Sequence, residues 1–198
     1  MSYTEIEIPL PQFTPAPPIL RREPFDYDDC IFELKMDGLR ALAYVGANET
    51  RLLSKNGHTM KRFGNLAVAV ERDLRREAVL DGEIVVLDSE GRPRFYDLLR
   101  RRGEPVFYVF DVLGLDGKDL RFRPLIERKR ILRSILPPQP SVLLYADHVE
   151  ARYRFLSTGL RTRSGRNRGE APSRGLRRIL VQDSQSCLLA VPRPTGVI

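Results

Sequence analysis

From residue 30 onward the apolar positions fall into short blocks separated by Asp-Gly, Asn-Gly and Pro, and the spacing inside each block assigns its element. The run IFELKMDGLRALAYV has the apolar density of strands and is interrupted at Asp37-Gly38, a turn signal between two runs. Residues 51–55 predict a further strand, closed by Asn56-Gly57. Residues 65–76, NLAVAVERDLRR, carry apolar side chains at 66, 67, 70 and 74, one stripe of a helix. Residues 78–88, AVLDGEIVVLD, return to β-branched density with a second Asp-Gly as a break. A short helix suits residues 94–102 and a buried strand residues 105–115, PVFYVFDVLGL. Residues 125–136, apolar at 125, 126, 131, 132, 135 and 136, predict an amphipathic helix stopped by Pro137-Pro138. SVLLYADHV, residues 141–149, gives one more strand. Strands dominate and helices are isolated, without the alternation of a doubly wound sheet, so the pattern predicts an α+β fold with antiparallel sheets.

The flanks differ from this middle. Residues 1–29 hold Pro9, Pro11, Pro15, Pro17, Pro18 and Pro24, which predicts an extended lead-in. Residues 151–198 hold ten Arg, no Lys and two acids, a net charge of +8, whereas residues 1–150 hold 23 basic and 24 acidic side chains, a net of −1. The whole excess of the +7 chain therefore sits in the tail. Three segments follow: the lead-in 1–29, a folded domain 30–150 and an Arg-rich divergent tail 151–198.

Composition narrows the class. With 198 residues, 42% hydrophobic and 30% charged, the chain can bury a core and is neither wholly disordered nor a membrane protein. No stretch approaches 18 apolar residues and the start MSYTEIEIPL is acidic, so a soluble cytoplasmic protein with no membrane partner is expected. No oligomer signal is visible, and a monomer is expected. Cys30 and Cys187 alone exclude a disulfide framework or a cysteine-based zinc site. His58 and His148 have no partner spacing and are expected to be structural or exposed.

Candidate chemistry starts at Lys35. Alternation along a strand puts Glu33, Lys35 and Asp37 on one face, so an acid, an amine and an acid point into one space. Taken alone, the K-x-D-G tetrapeptide fits a solvated strand face with a salt-bridged lysine better. Its company changes the reading: Ser54-Lys55-Asn56-Gly57 after the next strand, Asp81-Gly82-Glu83-Ile84-Val85 inside an apolar strand, and Phe107-Tyr108-Val109-Phe110-Asp111 inside another.

In this order and spacing, ELKMDGLR, LLSKNG, LDGEIVVLD and FYVFDVLGLDGKDL resemble four motifs of the adenylation domain of ATP-dependent DNA ligases, within the covalent nucleotidyltransferase superfamily. The likeness is to the small bacterial and end-joining types and runs from about residue 9 to 150. It implies two antiparallel sheets flanked by helices, of the covalent nucleotidyltransferase or ATP-grasp-like kind, with the nucleotide in a groove between them. It also implies ATP and Mg²⁺ as cofactors, nicked double-stranded DNA as substrate and DNA-repair proteins as possible partners. Carried over, Lys35 is the nucleophile that stores AMP, with Asp37 beside it in the nucleotide site. Glu33 lies at the adenine edge, Arg40 at the ribose or phosphate, Glu83 at the ribose hydroxyl or the metal, and Phe110 against the adenine. Lys55 stands where the family usually has Arg, which keeps the charge and loses the planar fork. An amine attacks phosphorus only when unprotonated, so burial or a nearby divalent cation has to favour its neutral form.

The resemblance breaks after residue 150. The family's last two motifs, a Glu-Gly followed by aliphatic residues and a Lys-x-Lys strand, have no counterpart in 151–198, where Glu170 precedes Ala171-Pro172. The fold is therefore expected to be incomplete at its C-terminal end and the ligase activity impaired. Lost strands would expose sheet edges and leave folding marginal unless GLRRILVQ or SCLLAV fills the gap. Other readings are an RNA ligase or a capping-type nucleotidyltransferase, which share K-x-D-G-x-R, and a non-catalytic remnant that binds nucleotide or DNA. One account of the tail is a basic appendage for phosphate backbones; the other is a change of reading frame near residues 150–153. Translating the alternative frames of the coding DNA beyond Glu150 should restore Glu-Gly and Lys-x-Lys; frames without them remove the frame-change account.

Overall fold

The computed structural model describes residues 13, 19–20, 30–47, 49–149, 179–183 and 188–191. Its elements in chain order are β1 (Ile19–Leu20), β2 (Cys30–Leu34), β3 (Leu39–Val45), β4 (Thr50–Ser54), α1 (Gly64–Leu74), β5 (Ala78–Val86), α2 (Phe95–Leu99), β6 (Pro105–Leu115), β7 (Lys118–Asp119), α3 (Leu125–Ile135), β8 (Leu143–Tyr145), β9 (His148–Val149), β10 (Ile179–Asp183) and β11 (Leu188–Val191). Two compact units are distinguished: Met1–Pro15 with Met36–Ala146, and Ala16–Lys35 with Asp147–Ile198.

The first unit is built on a sheet of order β4-β3-β5-β6-β7, antiparallel throughout, to which β8 adds in parallel beside β6. That parallel pair is joined through α3, because parallel neighbours need a crossover rather than a hairpin. Alternation sorts the strands. Ala41, Ala43 and Val45 of β3, Leu80, Ile84 and Val86 of β5, and Phe107, Val109 and Val112 of β6 enter the main core with Leu66, Ala67, Val70 and Leu74 of α1 and Leu132 and Ile135 of α3. The helical stripe at 66, 67, 70 and 74 is thus buried as its spacing predicts. Leu42, Tyr44 and Val79 cluster separately with Phe13, whose N–H donates to the Tyr44 hydroxyl at 2.7 Å. Burial pushes that phenol above its usual range, against the Phe13 hydrogen bond.

In the second unit the strand order is β1-β11-β10-β2-β9. β10 pairs antiparallel with β2 from Ile179 opposite Leu34 to Asp183 opposite Cys30, and β11 pairs antiparallel with β10. Parts of GLRRILVQ and SCLLAV are therefore strands of this sheet, and the condition for filling the gap beside β2 is met. The rest of the lead-in and of the tail, Cys187 included, lies outside the described residues.

Antiparallel α+β architecture is as the pattern predicts; α2, α3 and β6 lie within the predicted segments, and α1 starts one residue ahead of its own. Four local expectations need correction. The 141–149 run is two strands, β8 and β9, in different sheets, because Ala146 is buried and Asp147 turns out to solvent. Asp37-Gly38 does not close a hairpin, since β2 and β3 join different sheets. β2 ends at Leu34, so strand alternation does not carry Glu33, Lys35 and Asp37 onto one face. Asp81-Gly82 does not break β5; the strand runs through it with a register shift against β6.

Both Asp-Gly glycines are set by close packing rather than by turns. A Cβ on Gly82 would meet the Tyr108 carbonyl oxygen at 2.7 Å and the Phe107 ring at 2.8 Å, and one on Gly38 would collide with the Ile84 carbonyl oxygen.

No helix among the described residues is long and apolar enough to cross a membrane. Asp73, near the end of α1, ties that helix to the entry of β8 by accepting from Ser141 Oγ at 2.8 Å and from the Val142 N–H at 3.2 Å. Burial raises its pKa, but these bonds and the one from Arg72 outweigh burial and hold the carboxyl below its ordinary 3.8. Its stabilisation is therefore complete above the unfolded value and is lost as the pH falls through the lower folded value. Asp73→Asn should cost about 1–2 kcal/mol at pH 7 by urea unfolding, and the gap from wild type should narrow as the pH drops below 4.

Candidate active site

The middle of the first sheet gathers charge in its interior. Arg40 lies opposite Glu83, and Glu83 opposite Tyr108, so these three share one rung and one face across β3, β5 and β6. Arg40 grips Asp81 with two donors, Nε to Oδ1 at 3.1 Å and a terminal nitrogen to Oδ2 at 2.7 Å. Asp81 stands directly opposite Asp111 of β6. Asp111 is gripped in turn by Arg128 of α3, with both contacts at 2.9 Å, and it also accepts from the Val112 N–H. The third Arg128 nitrogen donates to the Arg123 carbonyl at 2.5 Å. Asp81, Asp111 and Arg128 are all buried.

Such a row persists only because each carboxylate has a planar two-donor partner. Two buried like charges on adjacent strands repel, and an unpaired buried charge costs several kcal/mol. Burial pushes the Asp81 carboxyl above its usual range, the Arg40 fork opposes this, and the neighbouring Asp111 charge adds to the rise.

The register shift decides what Phe110 does. Asp81 pairs with Asp111 and Gly82 with Val109, so Phe110 has no Cα partner on β5 and occupies a bulge. Its ring joins Val85, Tyr108 and Ala146, and the Arg40 guanidinium carbon lies 5.4 Å from the ring centroid. In this arrangement Phe110 is packed, 6% exposed, with a cation on one face.

The remaining candidates are placed as follows. Glu83 is half-buried beside Arg40. Lys55 is exposed in the turn after β4, just beyond the Ala41–Ser54 pair and so at the Arg40 end of the sheet. Asp37 is exposed ahead of β3. In the second unit, Glu33 is 3% exposed and sits between His148 of β9 and Leu180 of β10 in register, and Lys35 is half-buried immediately after β2. His58 is exposed. The first unit thus brings together Arg40, Glu83 and Phe110.

Sequence reasoning passed over four charged residues that build this region: Asp81, Asp111, Arg128 and Lys129. Each left a signal. The two aspartates interrupt apolar strand runs, where a charge requires a buried partner. From Leu125, the steps of three, four and seven residues that define a helix face land on Arg128, Lys129 and Leu132, all buried. Lys129 is fully buried and donates to the Ala146 carbonyl at 2.9 Å.

A model of the ATP dependent DNA ligase domain matches residues 19–153. The chain belongs to that family. It is 33% identical over 130 residues to the SPbeta prophage-derived DNA ligase-like protein LigB of Bacillus subtilis, covering 62% of this chain and 47% of that protein. It is 40% identical over 111 residues to the multifunctional non-homologous end joining protein LigD of Pseudomonas aeruginosa, covering 53% of this chain and 13% of that one. The match spans under half the length of either relative. The solved mycobacterial DNA ligase D complexed with ATP and MES superposes with a TM-score of 0.68 at 22% identity, over 90% of this chain and 60% of that one. That likeness establishes the fold as the one used by nucleotidyltransferase ligase domains, as the resemblance implies. Within this ligase-family chain the Arg40–Asp81–Asp111–Arg128 row joins two of the quoted motifs, LDGEIVVLD and FYVFDVLGLDGKDL, to ELKMDGLR.

Arg128→Leu should leave Asp111 buried without its partner, and lower stability by about 3–5 kcal/mol. Urea unfolding should show the added Asp111→Asn recovering part of that loss; strict additivity of the two changes would contradict a direct pair.

Proposed function

We propose that this chain is the adenylate-accepting part of an ATP-dependent DNA ligase, storing AMP on Lys35 for sealing nicks in double-stranded DNA. The observation that carries the reading is the family match over residues 19–153, inside which ELKMDGLR contains both Lys35 and the Asp81-held Arg40. In the step assigned to it, the neutral Lys35 amine attacks the α-phosphorus of ATP. A nitrogen–phosphorus bond forms, the bond to the β-phosphate oxygen breaks, pyrophosphate leaves, and the amine's proton passes to solvent. Arg40, fixed as a two-donor fork, binds phosphate or ribose oxygen without having to be ordered at the moment of reaction. The adenine is assigned to the Phe110 ring, which the Asp81-held Arg40 guanidinium borders. Glu33 holds the adenine edge, Asp37 and Lys55 flank the nucleotide, and Glu83 meets the ribose hydroxyl or the metal.

Mg²⁺ fits this donor set in one way. Among the described residues no three His, Cys, Asp or Glu side chains cluster as a metal cage, and Asp81 and Asp111 are taken up by arginines. Glu83 supplies a single half-buried carboxylate, which together with nucleotide phosphates and water matches the habit of Mg²⁺. The bound ion would offset phosphate charge. The setting assigned is end-joining repair in the cytoplasm, as a monomer, with nicked duplex as substrate and repair proteins as partners.

The absence of lysine from residues 151–198 favours a second reading, a remnant that binds nucleotide or DNA without chemistry, or a ligase of impaired activity. Incubation with α-labelled ATP and Mg²⁺ followed by denaturing electrophoresis separates the readings. Label retained by wild type and lost in Lys35→Ala is the expected result. No label on a folded sample removes the catalytic reading, and labelling by GTP in place of ATP assigns the chain to the capping type.

A further inference from the structure

The turn after α2 carries three arginines in succession, Arg100, Arg101 and Arg102, all exposed. Among the described residues none of the three takes part in an ion pair. Their backbone is fixed: Arg100 N–H donates to the Tyr96 carbonyl at 3.0 Å, Arg101 to Leu98 at 3.3 Å and Arg102 to Asp97 at 2.8 Å. Arg101 and Gly103 take left-handed φ values of 57° and 76°, which close the turn. The turn is thus a firm base for exposed cationic side chains. A fourth guanidinium is anchored there, because Arg62 donates to the Leu98 carbonyl at 2.7 Å while lying over the Phe63 ring at 4.4 Å, and exposed Lys61 precedes it. The local acids do not cancel this charge. Asp97 is engaged by Arg94 at 3.3 Å, which leaves Glu104 against five cations.

The other arginine-rich surface is different in kind. Arg72, Arg75 and Arg76 line a cleft of about 510 Å³ together with Glu71 and Glu77, and Arg72 and Arg76 are paired with Asp73 and Asp116. That surface is neutralised from within; the turn after α2 is not. Like charges at successive positions of one exposed turn repel each other, and a polyanion relieves that repulsion.

We propose that Lys61, Arg62, Arg100, Arg101 and Arg102 form a contact for the phosphodiester backbone of duplex DNA, at the end of the sheet where β5 finishes. Adjacent guanidiniums on an exposed turn suit regularly spaced phosphates, and phosphate contacts set position on a duplex without reading sequence. The choice of DNA over an acidic protein rests on the reading of the chain as part of a DNA ligase.

The test is fluorescence anisotropy of the full chain on a labelled nicked duplex across a series of KCl concentrations. Arg100→Gln/Arg102→Gln should bind at least tenfold more weakly near 0.1 M salt. Its plot of log affinity against log salt should be shallower by about two, since each lost phosphate contact removes roughly 0.9 from the slope. Arg100→Lys/Arg102→Lys should keep the wild-type slope. The Arg-rich residues 151–198 are common to all samples and cancel. Adding Arg101→Asn, which tolerates the left-handed φ, should lower the slope further. Adenylate labelling of the same samples tells the two readings apart. A reduced slope with labelling intact supports both, and a reduced slope without labelling in any sample keeps the surface while removing the catalytic reading. An unchanged slope and affinity in a double variant that melts as wild type overturns the proposal.

Discussion

Asp81 and Asp111 face each other on adjacent strands in the interior of the sheet, and each is held by one arginine fork, Arg40 from β3 and Arg128 from α3. Neither carboxylate could be buried there as an ion without its own arginine, because the uncompensated charge would cost several kcal/mol. The arrangement constrains more than local packing. It fixes the orientation of Arg40, docks α3 through Arg128, and holds β5 and β6 in the register that leaves Phe110 in a bulge. A buried ionic row adds little net stability compared with an apolar core of the same shape. What it supplies here is a single register for three strands and one helix.

Close backbone approach is the companion constraint. Gly82 lets the Phe107 ring and the Tyr108 carbonyl come within a Cβ's reach of β5, and Gly38 does the same for the Ile84 carbonyl. Both glycines stand beside aspartates of the family's motifs, so motif identity and packing are linked. At Asp81 the carboxylate has its Arg40 partner, and Gly82 beside it allows β6 to approach closely. The crossover from β6 through α3 to β8 is tied down by the same economy of polar groups, with Lys129 on the Ala146 carbonyl and Asp73 on Ser141 and Val142.

The functional reading depends on this rigidity. A fork already oriented by Asp81 can bind a phosphate or ribose without ordering costs, which is where preorganised sites gain most. Lys35 and Glu33 lie in the second unit, whose sheet draws strands from residues 179–183 and 188–191, within the segment whose composition departs most from the rest of the chain. Pairing along β2 is a backbone interaction that asks little of side-chain identity, so an Arg-rich segment with two short apolar runs can fill it. Catalytic motifs ask for particular side chains, and the same segment supplies none of the lysines those motifs use.

The sequence by itself determined the element types. Apolar spacing located α1, α3 and β6, because burial of a stripe or a face has a fixed period in the chain, and ordered motifs identified the ligase family, because phosphoryl chemistry demands particular residues at particular spacings. It read Asp37-Gly38 as a turn signal and Asp81-Gly82 as a break, since a glycine chosen for close approach looks identical in sequence to one that ends a strand. It took residues 141–149 as one strand, since membership of two sheets is decided by distant partners. Only the tertiary structure decided that Arg128 and Lys129, which the apolar spacing of the helix passes over, are interior, because their partners at Asp111 and Ala146 are 17 residues away and meet them only when the crossover closes.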